Sequence, residues 1–553
     1  MKGVALLASL TIALGGIAQT APEHYWVQFT DKNDSPFSLS QPEEYLSDRA
    51  ISRRDRYGIS IEESDLPVNP QYVDSLLNSG SITLLHSSKW FNAVTIHSTD
   101  TLALDTLENL SFIGSMRAVE SIKGSKDLPI GKFGYTEKCD LSTYHSNKYG
   151  ESYPQILMHN GHALHDRGNE GQGMLIGILD SGFDRVDSLE AFVHLFENDQ
   201  IKATFDFVDI EENVYNDHSH GMSVLSTLGG ILERHLVGTA PKADYVLLRT
   251  EDAGSEFIIE EDNWVAGAEY ADSAGCDILN TSLGYTTFED STQDHSYAEL
   301  DGMTTRISIA AGIAAEKGMI PVNSAGNYGQ GEWFHIGAPA DGIGVLTVGA
   351  VNSERQAAAW SSRGPSADGR VKPDVMAVGW GAVGAGFDNK PQYINGTSFS
   401  SPILAGLVAC IWQDNLDHPG HEVIRAIQLS AHQYEMPDDT MGYGIPDMYA
   451  AWNLLKGRNL IDARGGQMIN VYPNPFTSHF NIEFFNEKAQ ELNFELFDAM
   501  GRKVWNQKVN VPEDRLCISR VEDNVVQNLV PGFYIMQVTA GNDEFTFRIE
   551  KIR

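Results

Sequence analysis

The stretch Asn395-Gly396-Thr397-Ser398-Phe399-Ser400-Ser401-Pro402 is the first place where the sequence suggests chemistry. A tight Gly-Thr-Ser turn runs straight into an apolar segment, Ile403 to Trp412, predicted to be helical. Ser398 then sits in the first helical turn, beside unpaired backbone N–H groups and the positive end of the helix dipole. Such a place suits a nucleophile, because negative charge on the attacked group develops near those donors. Ser and Thr are also ordinary N-caps, so the string taken alone admits a purely structural reading.

Three further residues fall at predicted ends of elements. Asp180, in Leu179-Asp180-Ser181-Gly182, follows an apolar run and can orient an imidazole, or can be a turn residue. His220, in His218-Ser219-His220-Gly221-Met222, opens a predicted helix over Gly221 to Glu233. Its ring can take and return one proton per step, and it can equally be a surface histidine. His218 and His220, with Asp217 or Asp180, also have the chemistry of a metal pair. Asn327, in Ala325-Gly326-Asn327-Tyr328-Gly329, offers a neutral amide donor for an oxyanion, or an Asn-Gly-type turn.

These residues need a frame that holds them at element ends. From Tyr153 to about Lys456, apolar strand-like runs alternate with helical stretches. The runs are Met174–Leu179, Tyr245–Leu248, Asp277–Asn280, Ile320–Asn323 and Gly344–Val348. The helical stretches are Gly221 to Glu233, Asn263 to Ala274, Thr304 to Lys317 and Ser400 to Gln413. This order predicts an α/β, doubly wound parallel sheet, whose functional groups gather at the carboxyl ends of its strands. Before it, residues 19–126 read as a small α+β unit with strands at Tyr25–Phe29 and Phe91–Ile96 and helices at Glu43–Tyr57 and Tyr72–Leu77. Residues 127–152 read as an exposed linker. After it, residues 465–553 carry many short alternating runs and no long helix, as a C-terminal β-sandwich does.

Composition narrows the function classes. A chain of 553 residues is too long for one core. The net charge of −36 is spread along the chain with no basic stripe, which argues against nucleic-acid binding. It describes a solvated acidic coat, with at most a mild preference for cationic substrates. Met1-Lys2, the apolar run Val4 to Leu14 and Gly16-Ile17-Ala18 form a predicted secretory signal peptide over 1–18. No later run is long enough for a transmembrane helix. The four cysteines, Cys139, Cys276, Cys410 and Cys517, form no metal-spaced cluster, and Cys276 and Cys410 read as buried apolar residues.

Taken together, the chain order Asp180, His220, Asn327, Ser398 on an α/β unit resembles the subtilisin-like serine proteases. The strings that carry the resemblance are Ile178-Leu179-Asp180-Ser181-Gly182, Ser219-His220-Gly221, Asn280-Thr281-Ser282-Leu283-Gly284, Ala325-Gly326-Asn327 and Gly396-Thr397-Ser398-Phe399-Ser400-Ser401-Pro402. Gly238-Thr239-Ala240-Pro241 and Ser361-Ser362-Arg363-Gly364-Pro365 resemble framework segments of the same family. The resemblance implies a peptidase unit over 153–456. In it Ser398 is the nucleophile, His220 the base, Asp180 its orienter and Asn327 an oxyanion donor. It further implies that Ser282, Leu283 and Gly284 bind the substrate backbone as an added strand, and that Ser324, Ala325 and Gly326 form the other wall of the specificity pocket. One departure is Met222, where the family usually has threonine. No cofactor is implied as required. Structural calcium is implied by the family, without a ligand loop that can be named here.

The flanking units fit the same picture. Residues 19–126 occupy the place of a propeptide, or of a permanent accessory unit. The pieces Val471-Tyr472-Pro473-Asn474-Pro475-Phe476, Leu496–Arg502, Gly532-Phe533-Tyr534 and the basic end Arg548 to Arg553 resemble the C-terminal sorting domains of the type IX secretion route of Bacteroidetes. The expected partners are therefore protein or peptide substrates and that export machinery. The expected location is extracellular or at the outer cell surface after periplasmic transit. The rivals to a secreted serine endopeptidase are a non-catalytic binding protein on the same scaffold and a metal-dependent hydrolase built on His218 and His220.

Overall fold

The computed structural model describes residues 23–120, 148–456 and, with short breaks, 460–552. The predicted signal peptide and residues 127–147 of the predicted linker lie outside the described residues, as does Cys139.

The first unit runs β1 (His24–Phe29), α1 (Asp48–Tyr57), α2 (Pro70–Leu77), β2 (Thr83–Ser88), β3 (Ala93–His97), α3 (Thr101–Leu107) and β4 (Ile113–Glu120). Its strands form one antiparallel sheet in the order β2-β3-β1-β4. The helix read over Glu43–Tyr57 is shorter. It begins at Asp48 because Ser47 accepts a hydrogen bond from the Ala50 N–H and stops the chain from continuing helical upstream.

The central unit begins with α4 (Tyr153–Leu157) and α5 (Gly161–Asp166). It continues through β5 (Leu175–Asp180), α6 (Val193–Glu197), β6 (Ile201–Asp206), α7 (His220–Gly229), β7 (Ile231–Leu232), β8 (Leu236–Val237), β9 (Asp244–Arg249) and α8 (Ile259–Ala274). Then come β10 (Ile278–Thr281), α9 (Arg306–Glu316), β11 (Ile320–Ser324), β12 (Leu346–Val351), β13 (Val375–Val378), the hairpin β14 (Trp380–Ala385) and β15 (Pro391–Asn395), α10 (Thr397–Trp412), α11 (Gly420–Ser430) and α12 (Met448–Leu455). Seven strands form one parallel sheet, β13-β12-β11-β10-β5-β9-β6. The order reverses between β5 and β10, which opens a crevice at the carboxyl edge between them.

Every residue of β5 is buried, because both faces are covered. Ile176 and Ile178 point into the core shared with Leu225 of α7 and Leu404 of α10, while Leu175 and Leu179 join Ala271 of α8 and Ile307 of α9 on the other face. The helix predicted over Gly221 to Glu233 stops at Gly229, since Gly230 takes an extended conformation and leads into β7. Conversely α8 starts at Ile259 rather than Asn263. Its first turn holds Glu260, Glu261 and Asp262, which suit the positive helix end but read as loop in sequence.

The linker expectation also needs correction at its end. Tyr149 and Ser152 are buried, and Ser152 Oγ donates to Val237 O at 3.1 Å. The packed central unit thus already includes Tyr149, four residues before the expected start at Tyr153.

Three buried histidines line this entry segment. His159 and His165 are held down to about 4, and His162 to about 3, chiefly because burial penalises the charged ring. A ring whose folded pKa lies below its unfolded value of about 6.5 gives stability that is whole above that pH and is lost as pH falls toward the folded pKa. His159 alone accounts for about 3 kcal/mol once protonated. The melting temperature is expected to drop steeply between pH 6.5 and 4, and His159→Gln, which cannot charge, should flatten that slope.

After the central unit, β16 (Leu460–Ala463), β17 (Gln467–Tyr472), β18 (Phe480–Asn486), β19 (Gln490–Phe497), β20 (Lys503–Val511), β21 (Arg515–Val521), α13 (Asn524–Gln527), β22 (Gly532–Ala540) and β23 (Asp543–Lys551) build two four-stranded antiparallel sheets, β16-β17-β18-β21 and β20-β19-β22-β23. Phe480 and Ile482 of one sheet and Phe494, Leu496 and Met536 of the other share one apolar core, which makes a β-sandwich.

The first unit docks on α8 and α9. Trp26 and Trp90 enter the same apolar cluster as Ala271 and Ile307. Glu269 of α8 accepts from the Lys89 and Trp90 N–H groups at 2.7 and 3.1 Å and from Ser88 Oγ at 2.5 Å. Beside it, Asp272 receives Arg53 at 2.5 Å, Arg54 at 2.9 Å and Lys89 at 3.0 Å. Arg54 also holds Asp65 of its own unit at 2.6 Å, and Lys317 of the central unit returns to that Asp65 at 2.9 Å.

Candidate active site

Asp180 is the last residue of β5, at the carboxyl edge beside the topological switch, and is fully buried. Its Oδ1 accepts from the Ser181 N–H at 2.8 Å and from His220 Nδ1 at 2.7 Å. Accepting from Nδ1–H fixes the ring orientation and leaves Nε2 as the basic nitrogen. His220 is the first residue of α7. Gly221 follows it for a steric reason: a Cβ there would lie 2.4 Å from the Gly182 carbonyl oxygen and 3.0 Å from Asp180 Cβ. Only glycine lets the first turn of α7 press against the Asp180–Gly182 turn.

A His-x-His spacing would put both rings on one side of an extended strand, but His218 lies in no strand and His220 opens α7. His218 Nδ1 meets Ser181 Oγ at 2.8 Å, and the two imidazoles stack with centroids 6.4 Å apart. Asp217, named with them as a metal carboxylate, faces Arg249 at 3.3 Å instead. Met222 is buried in the core with Leu225 and Phe399.

Ser398 is the second residue of α10, and 2% of it is exposed. Pro402 lies four residues on, inside the helix. Proline has no N–H to give the carbonyl of Ser398, so that acceptor would be orphaned. Ser282 fills the gap: its Oγ donates to Ser398 O at 2.8 Å, and Ser398 Oγ donates to Ser282 O at 3.2 Å. The reciprocal pair ties the start of α10 to the segment after β10. Phe399, next in the helix, packs its ring on His220 with centroids 5.7 Å apart.

Asn327 follows β11. Its Oδ1 accepts from the Thr397 N–H at 2.9 Å and the Thr397 hydroxyl at 3.1 Å, so it caps α10 from outside. The Thr397 hydroxyl in turn accepts from the Gly326 N–H at 3.1 Å. With the amide oxygen held there, the amide nitrogen is the donor end on the other side. Asn327 and the Ser398 N–H therefore start from neighbouring positions at one helix N-terminus, where donors favour negative charge.

The two extended segments proposed to bind substrate emerge from adjacent strands. Thr281 of β10 pairs with Asn323 of β11, so Ser282-Leu283-Gly284 and Ser324-Ala325-Gly326 leave the sheet side by side. They are pinned at Leu283 O, which accepts from Asn323 Nδ2 at 3.3 Å and Ser324 Oγ at 3.4 Å. Sequence reasoning missed the Asn327–Thr397 clamp, the Ser181–His218 bond and the Ser282–Ser398 pair. The Pro402 spacing was the one available signal for the last of these.

Among the described residues, two groups of carboxylates approach closely enough to share a cation, Asp206-Asp209-Asp217 and Glu251-Glu256-Glu260. The first already surrounds Arg249, whose guanidinium reaches Asp206 at 2.7 Å and Asp209 at 2.5 Å. Neither includes His218 or His220.

Comparison with known proteins places three family matches along the chain. Residues 171–444 match the Subtilase family, residues 24–130 a Peptidase S8 propeptide domain of Bacteroidota, and residues 470–551 a Secretion system C-terminal sorting domain. Subtilisin from Bacillus pumilus is 30% identical over 254 residues, covering 45% of this chain and 80% of that protein. Subtilisin E from Bacillus subtilis (strain 168) is 28% identical over 271 residues, 48% of this chain and 62% of that protein, which is less than two thirds of its length. Membrane-bound transcription factor site-1 protease from Mus musculus is 25% identical over 378 residues, 66% of this chain and 33% of that protein. Among the described residues, no helix is long and apolar enough to cross a membrane.

Proposed function

Because the chain belongs to the subtilase family, we propose that it is a secreted serine endopeptidase acting through Ser398, His220 and Asp180. The observation that carries the reading is the 2.7 Å bond from His220 Nδ1 to the buried Asp180, at the sheet edge where the helix bearing Ser398 begins. Ser398 Oγ attacks the scissile carbonyl carbon while its proton passes to His220 Nε2. Asp180 holds the ring and stabilises its charged form. The tetrahedral oxyanion takes hydrogen bonds from the Ser398 N–H and the Asn327 amide. Collapse breaks the C–N bond, and the amine leaves with the proton from His220. Water, deprotonated by the same ring, then cleaves the acyl-serine and returns the hydroxyl. Ser282-Leu283-Gly284 hold the substrate backbone as an added strand.

In this reading residues 1–18 direct export and are removed. Residues 19–126 are a propeptide that covers α8 and α9, and the β-sandwich addresses the chain to the type IX route for release at or beyond the outer surface. The substrates are proteins or peptides.

Casein hydrolysis by the secreted protein is the test. A serine-directed organofluoride is expected to abolish it and a chelator to leave its chemical step intact. Loss with the chelator and not with the fluoride would overturn the serine mechanism.

A further inference from the structure

Tyr328 stands one residue beyond Asn327, at the top of the slot between the two segments that leave β10 and β11. Its backbone is fixed, since its N–H donates to Ser362 Oγ at 3.0 Å. Its side chain turns back over Gly326, where a Cβ would lie 3.1 Å from Tyr328 Cδ2 and Cε2. The phenol then reaches the opposite segment and donates to Gly284 O at 3.2 Å. Gly326 and Gly284 each lie three residues beyond the paired positions Asn323 and Thr281, so they face one another across the slot. One ring therefore spans from wall to wall. Gly326 itself has φ 101°, and the Ser362 hydroxyl would meet its Cβ at 2.9 Å, so this wall cannot retreat by taking another residue. Next to Gly284 in the chain, the Tyr285–Ala338 backbone pair, at 2.8 and 3.1 Å, holds the Gly284 wall in place.

We infer that Tyr328 is a specificity-determining residue: its ring, hydrogen-bonded to Gly284 O, shortens the pocket for the residue on the acyl side of the scissile bond, which restricts that residue to Gly, Ala or Ser. The inference rests on the proposed protease reading, which places that side chain between Ser282-Leu283-Gly284 and Ser324-Ala325-Gly326. A longer side chain must displace the ring, break its hydrogen bond and leave Gly284 O without that donor. A hydrophobic pocket distinguishes substrates by about 10–200-fold per methylene, so phenylalanine against alanine should differ by about a hundredfold or more.

The test uses the full secreted chain on peptides that differ only at that position, carrying Ala, Leu, Phe or Arg, with kcat/KM as the readout. The native protein is expected to prefer Ala over Phe about a hundredfold. Tyr328→Ala should raise the Phe value about tenfold or more while changing Ala little. Tyr328→Phe, which keeps the ring and loses the hydroxyl, should retain the preference for Ala with a smaller ratio. Equal cleavage after Ala and Phe by the native protein, or a uniform change across the series in Tyr328→Ala, would overturn the inference. A fluorophosphonate without an acyl-side chain separates the two claims. Failure to label Ser398 removes the protease reading and this inference with it, whereas labelling together with a flat series removes only the role of Tyr328.

Discussion

Ser398→Ala is expected to lower kcat on any peptide substrate by about six orders of magnitude, the loss typical of removing the nucleophile of such a triad. The size follows from how the site is organised. Serine, imidazole and carboxylate act as one unit, so removing the attacking atom leaves His220 and Asp180 with nothing to activate. What remains is the donor pair at the start of α10 and the substrate-binding strand, which together still give about 10³–10⁴ over water. His220→Ala should cost about as much as Ser398→Ala, and the double variant little more than either single one. Additive losses would mean that the two residues do not work together. The fold should survive Ser398→Ala. Ser398 Oγ makes one hydrogen bond, to Ser282 O, and the bond that supports the helix start uses the Ser398 carbonyl, which alanine keeps. A kcat reduced only tenfold would remove Ser398 from the mechanism.

The second large effect belongs to the interface between the first unit and α8. Asp272→Ala is expected to weaken docking of that unit by about 3–5 kcal/mol, because it strands the charged partners of Asp272 in a dry interface. Arg53 and Arg54 are buried, and Asp272 receives both as well as Lys89. The cations around it hold the Asp272 carboxyl far below the usual range. Arg54 bridges Asp272 and Asp65, so the network joins docking to the packing of the unit's own α1 and the turn that carries Asp65. Hydrogen exchange in α1 of the full chain reads the effect directly. Its amides should exchange at least about a hundredfold faster in Asp272→Ala. An apolar replacement of three members of the cluster, Arg53→Met with Arg54→Met and Asp272→Leu, should recover part of the protection, since a buried ion pair is costly to break but not costly to replace, while Lys89 still loses its Asp272 partner. Unchanged exchange in Asp272→Ala would show that the Trp26 and Trp90 contacts alone hold the unit.

Much of the candidate site could be read from the sequence because its signals are local. Asp180 ends an unbroken apolar run, His220 precedes a glycine at a helix start, and Ser398 follows Gly-Thr. Each is a junction of strand, turn and helix written within a few residues. The parallel sheet was legible for the same reason, since strands buried on both faces are continuous apolar runs. What escaped depends on residues far apart in the chain. The Asn327 amide caps a helix 70 residues away, and the Ser282 pair spans 116 residues. The edge strand β6 escaped because Lys202 and Thr204 interrupt its apolar character, and β14 and β15 because glycine and polar residues fill them. Burial also misled the reading of charge. Glu260, Glu261 and Asp262 look like loop residues but lie buried in the first turn of α8. Tyr149 and Ser152 look like linker residues but pack against Val237 or its neighbours. Tyr328 carried no signal, because its meaning comes from Gly284 on the neighbouring segment.

The measurement that bears most directly on the central claim is covalent labelling of the native secreted chain with a fluorophosphonate, read by mass spectrometry of the peptide containing Asn395 to Pro402. The predicted result is modification of Ser398 in step with loss of casein hydrolysis, with labelling abolished in His220→Ala. Full inactivation with Ser398 unmodified, or undiminished labelling of Ser398 in His220→Ala, would contradict the account.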